Sequence, residues 1–241
     1  MKNLRDAKFS LKKIVETVER MLKDYTVGKI GRKEINSKLN LIHVAAQAGS
    51  VQAEVFLAHI FDNGIGVRKD LSKAVFWYKV AAKHNDAHAQ SWLGYAYGNG
   101  TGVTKNLAKA LFWDRKAARQ GYVAAQYNLG QAYAEGSGIR QNFSKAVWWW
   151  QKSALQGHSS AQCNLGKAFE TGAGVKRNLS EAAKWYQKAA VQGDALAFYN
   201  LGRCFAAGFG VRKDKRKATT WFRRAAKAGF KKANSKLAEL K

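Results

Sequence analysis

The chain has 241 residues, no proline, and a formal net charge of +26 from 42 Lys and Arg against 16 Asp and Glu. A field of that sign attracts anionic partners, whether acidic protein, nucleic acid or membrane surface, or serves solubility alone. Two cysteines, Cys163 and Cys204, sit out of register with one another and do not make a per-repeat disulfide framework.

The opening, MKNLRDAKFSLKKIVETVER, is studded with charge and reads as neither a signal peptide nor a membrane span. With the cysteine usage, it points to the cytoplasm. Within residues 1–48, Tyr25, Gly28, Ile35, Leu41, Ala45 and Ala46 each stand 36 positions before Phe61, Gly64, Leu71, Trp77, Ala81 and Ala82. This segment is therefore expected to be a degenerate N-terminal repeat or helical cap.

From residue 49 the 36-residue register is strict. Trp77, Trp113, Trp149, Trp185 and Trp221 form one column. A G-x-G string begins at Gly64, Gly100, Gly136, Gly172 and Gly208, and an Asp or Asn follows at Asp70, Asn106, Asn142, Asn178 and Asp214. Self-similarity at this period marks a repeat architecture. In residues 85–120, Asn85 and Asp86 suit a helix start, and Ala89, Leu93, Ala96 and Tyr97 recur with helical spacing. Gly98 to Gly102 break that helix, and Asn106 caps a second whose apolar face runs from Leu107 to Ala118. Each repeat thus reads as two antiparallel helices. Mid-helix Gly94, Gly130, Gly166 and Gly202 imply a contact too close for a Cβ, with the Ala110, Ala146, Ala182, Ala218 column expected to face it. The tryptophans are expected to fill the space between neighbouring pairs. Five such repeats span 49–224, and 225–241 reads as a basic C-terminal capping helix.

The strings AQSWLGYAYGNGTGV, AQYNLGQAYAEGSGI, AQCNLGKAFETGAGV and AFYNLGRCFAAGFGV resemble the Sel1-like repeat, a relative of the tetratricopeptide repeat. The resemblance implies an all-α, right-handed solenoid whose first helices line a concave groove. In tetratricopeptide-like solenoids the residue after the mid-helix glycine and the one three before it face the groove. Transferred to this chain, those columns and their neighbour one turn back nominate His59, His88, Tyr95, Tyr127, Gln131, Lys167, Tyr199 and Arg203 as a partner-binding surface. Lys167 and Arg203 match the cations of the tetratricopeptide carboxylate clamp; the Asn residues fall elsewhere, at Asn128, Asn164 and Asn200.

A second candidate surface is the loop edge before each second helix: Arg68, Lys69, Lys105, Arg140, Lys176, Arg177, Arg212 and Lys213. Such a row can follow a phosphate backbone or an acidic protein face. No nucleophile with its base, no metal set and no phosphate loop is legible, and no cofactor is expected. His84 and His88 lack the acidic or thiol neighbours of a zinc site. The expected function is a non-enzymatic protein-binding module (adaptor, regulator or immunity-type antagonist) that engages an acidic partner in the groove. The alternative is sequence-nonspecific nucleic-acid binding along the basic edge and tail.

Overall fold

The computed structural model describes residues 2–240 except Val27 and Ile30, with side chains from Leu11 onward. Among the described residues there are fourteen helices and no strand. Two compact units divide the chain after Tyr122.

The first unit holds α1 (Lys2–Thr26), α2 (Arg32–Ser37), α3 (Leu39–Gln47), α4 (Val51–Asn63), α5 (Leu71–Lys83), α6 (Ala87–Asn99) and α7 (Leu107–Arg119). The second holds α8 (Val123–Glu135), α9 (Phe143–Leu155), α10 (Ser159–Thr171), α11 (Leu179–Val191), α12 (Ala195–Ala207), α13 (Lys215–Lys227) and α14 (Lys232–Glu239). From α4 to α13 every helix is 13 residues long, and each even-numbered one packs most extensively on its successor.

The helix starts follow from their caps. Asp70, Asn106, Asn142, Asn178 and Asp214 each accept the N–H three residues on, at 2.9 to 3.0 Å. Asp86 and Asp194 do the same for first helices, at 2.7 and 2.8 Å. Each satisfies a donor that the helix's own ladder leaves open. His158 caps α10 through Nδ1, which accepts from the Ala161 N–H at 3.2 Å. Asn85 stands at φ 66, where other repeats place Gly121, Gly157, Gly193 or Gly229.

The two glycines of G-x-G do different work. The first ends a helix in the left-handed region, as Gly172 does at φ 80. The second lies against the preceding repeat: a Cβ on Gly174 would strike the backbone of Phe143, and one on Gly210 that of Leu179.

The mid-helix glycines are filled from an unexpected column. A Cβ at Gly94, Gly130, Gly166 or Gly202 would meet Asp114, Trp150, Tyr186 or Phe222, each one position past the tryptophan column. Of the alanine column, the Ala182 carbonyl is among the three atoms nearest such a Cβ, at Gly166. The deepest large side chains follow suit: Tyr78, Tyr186 and Phe222 are fully buried. Of the tryptophan column itself, Trp77 and Trp185 are buried, whereas Trp113, Trp149 and Trp221 are half-buried. A second-helix residue must lie against its own partner helix to reach that glycine, and the tryptophans point one helical step aside.

Buried amides tie each pair together. Gln120, Gln156 and Gln192 donate to Gln90, Gln126 and Gln162, each at 2.8 Å. Gln90 and Gln162 donate in turn to the carbonyls of Ala82 and Ala154 in the preceding repeat. In the first pair His84 and the buried Glu54 take the same places, 2.9 Å apart. Burying such groups is tolerable because each finds a partner.

At the ends, Ile35, Ala45 and Ala46 are buried, but Leu41 is 39% exposed, unlike the tryptophan it aligns with. The C-terminal tail is not one helix from Ala225. α13 continues to Lys227, a turn with Gly229 at φ 87 intervenes, and Ala233 and Leu237 of α14, with Leu240 just after it, join the cluster of Phe222 and Phe230.

Candidate functional site

In the first unit, α4 and α6 carry His59, His88 and Tyr95. His59 and Tyr95 are exposed, Tyr95 at 54%. His88 belongs to a ring cluster instead: it lies edge-on to His59 (5.8 Å) and Tyr122 (6.1 Å) and tilted against Tyr78 (5.9 Å). Burial holds its imidazole below the ordinary range, and its Nδ1 has no hydrogen-bond partner. Tyr78 stacks on Trp92 at 4.1 Å, and Trp92 Nε1 donates to Asp62 at 3.1 Å.

In the second unit, Lys167 on α10 is exposed and makes no ion pair among the described residues. Arg203 on α12 is its equivalent one repeat on, but its environment differs. Its Nη2 donates to Glu170 Oε1 at 2.8 Å, and its side chain is only 38% exposed. The same Glu170 accepts the Tyr186 hydroxyl at 2.6 Å. Burial pushes that phenol far above its usual range, with the bonded carboxylate adding to the effect. Of the two cations matched to the carboxylate clamp, only Lys167 therefore stands free in solvent, because Glu170 already neutralises Arg203.

Tyr127 and Tyr199 of the nominated groove pack against neighbouring rings. Tyr127 stacks on His158 at 4.6 Å, and burial raises its hydroxyl against a bond to Asn164. Tyr199 lies 4.8 Å from Phe230 and 5.6 Å from Phe222. Gln131 is half-buried, and its Oε1 accepts from Asn164 at 2.8 Å. Of the eight nominated groove residues, the surface offers His59 and Tyr95 in the first unit and Lys167 in the second.

The loop-edge cations are all exposed. Lys69 approaches Asp62 at 3.9 Å, and Arg177 Nε donates to the Glu170 carbonyl at 3.0 Å. Both cysteines are buried and free; burial pushes Cys163 up to about 12 and Cys204 up to about 11, which leaves the thiols protonated and inert. Among the described residues no group of three His, Cys, Asp or Glu is placed to hold a metal ion. No helix among them is long and apolar enough to cross a membrane.

The comparisons follow the register. The family model of the Sel1 repeat matches five consecutive windows, 51–86, 87–122, 123–158, 159–194 and 195–230. The chain belongs to the Sel1-repeat family. Among solved structures, a protective antigen of uropathogenic Escherichia coli with an SLR fold is 32% identical, with a TM-score of 0.85 over 95% of this chain and 51% of that one. This chain thus spans about half the length of that antigen. A Sel1 repeat protein from Oxalobacter formigenes is 30% identical, with a TM-score of 0.80 over 89% of this chain and 84% of that one. The immunity protein PA5088 from Pseudomonas aeruginosa shares the fold at 23% identity and a TM-score of 0.53, over 78% of this chain and 72% of that one. No curated protein matches the chain. All-helical architecture with consecutive pairs packed together is the Sel1-repeat fold, and Sel1 repeats are protein-interaction modules.

Two features of this Sel1-repeat chain escaped the sequence reading. Phe76, Phe112 and Trp148, on second helices just before the tryptophan column, are 57%, 50% and 51% exposed. Lys116 and Lys152 sit over Phe112 and Trp148 at 5.0 and 4.4 Å. Their 36-residue spacing was readable; their exposure was not, because an aromatic beside a core tryptophan reads as core. The other feature is Glu170, whose column otherwise holds Asp62, Gly98, Ala134 and Ala206 and so shows no repeated type.

Proposed function

We propose that this chain is a non-enzymatic protein-binding module that engages an acidic segment of a partner protein along its first-helix surface. An adaptor, a regulator and an immunity-type antagonist all fit that reading. The observation that carries it is Lys167: an exposed ammonium on the first-helix column, without an ion pair among the described residues, in a chain of net charge +26. A carboxylate meeting it there gains a charge-assisted hydrogen bond, which is stronger than one between neutral groups. His59 and Tyr95 offer the same column in the first unit an imidazole and an amphipathic ring, side chains suited to anchoring a peptide. Family membership supports the class of activity, and the shared fold of the Pseudomonas immunity protein is compatible with antagonism.

The second reading is nucleic-acid binding along the loop edge. Its support is the exposure of Arg68, Lys105, Arg140, Lys176, Arg212 and Lys213 together. Affinity capture from the native host with mass spectrometry identifies the partner, and duplex DNA binding measured across a salt series separates the readings. Phosphate tracking gives a log-log slope of about 0.9 per phosphate neutralised. A captured protein that keeps most of its affinity at raised salt, with DNA binding weak and steeply salt-dependent, supports the groove. The opposite pattern moves the function to the edge.

A further inference from the structure

Glu170 shows what this surface holds when the chain supplies the ligand itself. Its carboxylate accepts the Tyr186 hydroxyl from α11 at 2.6 Å and the Arg203 guanidinium from α12 at 2.8 Å. One period of 36 residues earlier, these three positions are Ala134, Trp150 and Lys167. The second-helix donor and the first-helix cation are kept. The carboxylate is gone.

In its place is a cavity of about 270 Å³ lined by Gln131, Ala134, Trp150, Asn164, Lys167 and Thr171, among others. Trp150 is 7% exposed, and its Nε1 has no hydrogen-bond partner. The edge of the indole that carries Nε1 lies against Gly130, where a Cβ would strike it. A buried N–H left unpaired is costly, and native structures rarely tolerate one without a reason. The other polar groups of the wall are engaged. Asn164 donates to Gln131 at 2.8 Å, and Thr171 donates to the Lys167 carbonyl at 3.0 Å. Glu135, the carboxylate nearby on α8, accepts from Ser137 at 3.1 Å and reaches Gln131 Nε2 at 3.5 Å. Among the described residues, Trp150 Nε1 and the Lys167 ammonium are the donors of this wall with no partner.

We propose that this pocket receives a glutamate side chain of the bound partner, which completes in trans the contact that Glu170 makes in cis. A glutamate is the occupant because that is the side chain the adjoining repeat places between the equivalent donors. The chemistry matches: an anionic acceptor of two hydrogen bonds, one of them from a cation, in a cavity that Ala134, Phe143 and Ala168 also line. The inference deepens the protein-binding reading and rests on it for its biological meaning, but the pocket is testable alone.

The probe is acetyl-Gly-Glu-Gly-amide, titrated into the full chain while the Trp150 indole N–H resonance is followed. Acetyl-Gly-Gln-Gly-amide and acetyl-Gly-Gly-Gly with a free terminus serve as controls. The expected result is a saturable shift of that resonance with the glutamate peptide alone. Ala134→Glu should move the resonance in the same direction with no peptide present and abolish the titration. Lys167→Met, at an exposed position, should weaken it about tenfold, the loss of one charge-assisted bond. An unmoved indole, an equal response to the glutamine peptide, a response to the free terminus instead, or a full titration in Lys167→Met overturns the assignment. That last variant decides alone should Ala134→Glu not fold. Failure here with a captured partner still sensitive to Lys167 removes the pocket and leaves the groove. A working pocket with a partner indifferent to Ala134→Glu overturns the assignment to the partner's glutamate, and the groove reading then rests on Lys167 alone.

Discussion

Glu170 and Arg203, 33 residues apart in sequence, meet at 2.8 Å, and the same carboxylate takes the Tyr186 hydroxyl. One acidic side chain thus joins α10, α11 and α12 and removes from the surface a cation that the repeat register presents as free. Replacing Glu170 by Ala leaves the buried Tyr186 hydroxyl unpaired. The expected destabilisation is about 1–3 kcal/mol, the cost of an unsatisfied buried polar group. Denaturant unfolding checks it; an unchanged midpoint would mean that solvent replaces Glu170 without cost.

Phe222→Ala should cost more than Trp149→Ala. Phe222 is 1% exposed against Gly202, whereas Trp149 is half-buried. Truncating a buried aromatic costs about 3–5 kcal/mol, and a half-buried one correspondingly less. Thermal unfolding of both variants gives the order; equal losses would put the tryptophan column back at the centre of the packing.

Gly174→Ala and Gly157→Ala separate two roles of glycine. Both residues have positive φ, at 74 and 94, which costs an L-residue about 1–2 kcal/mol. At Gly157 nothing lies within 4 Å of the new Cβ, but at Gly174 it meets the Phe143 backbone. The Gly174 variant should therefore be the less stable. Equal midpoints would show that the repeats part without cost at that contact.

Stability should fall as the pH drops below neutrality. His158 accepts the Ala161 N–H through Nδ1, so the capping form is neutral, and burial holds its pKa below the ordinary value. A lowered histidine stabilises the fold above the unfolded pKa of about 6.5 and loses that contribution as pH falls towards the folded one. His43 and His88 are lowered by burial too and act in the same direction. His158→Asn keeps a cap acceptor without titrating. Its thermal midpoint should drop less between pH 7.5 and 5 than that of the unaltered chain; parallel slopes would exclude the cap as a source.

The architecture was legible because its signals repeat. Five caps of one type, five G-x-G strings and one tryptophan column cannot all fall at 36 residues by accident, and each caps, ends or packs a helix. The deepest column was not legible, since Tyr78, Asp114, Trp150, Tyr186 and Phe222 share no chemistry. Only the mid-helix glycine that each approaches unites the last four. The surface was harder still. Lys167 and Arg203 are equivalent by register, and their difference in charge state of the surroundings depends on one position, Ala134 or Glu170, that no repeating pattern marks. Depth and pairing are tertiary facts; spacing reports them only where every repeat solves the packing in the same way.

The most direct test of the central claim is the affinity of the captured partner for two charge-reversal variants. Lys167→Glu alters the first-helix surface; reversal of Arg68, Lys69, Lys176 and Arg177 together alters the loop edge. Arg203 is left intact because reversing it would set two carboxylates against each other at Glu170. Losing a charge-assisted bond of about 1.5–3 kcal/mol weakens binding roughly tenfold to a hundredfold. The account predicts that loss for Lys167→Glu, with helicity unchanged, and a much smaller loss for the edge variant. Retained binding in Lys167→Glu together with lost binding in the edge variant would contradict it and make the basic edge the working surface.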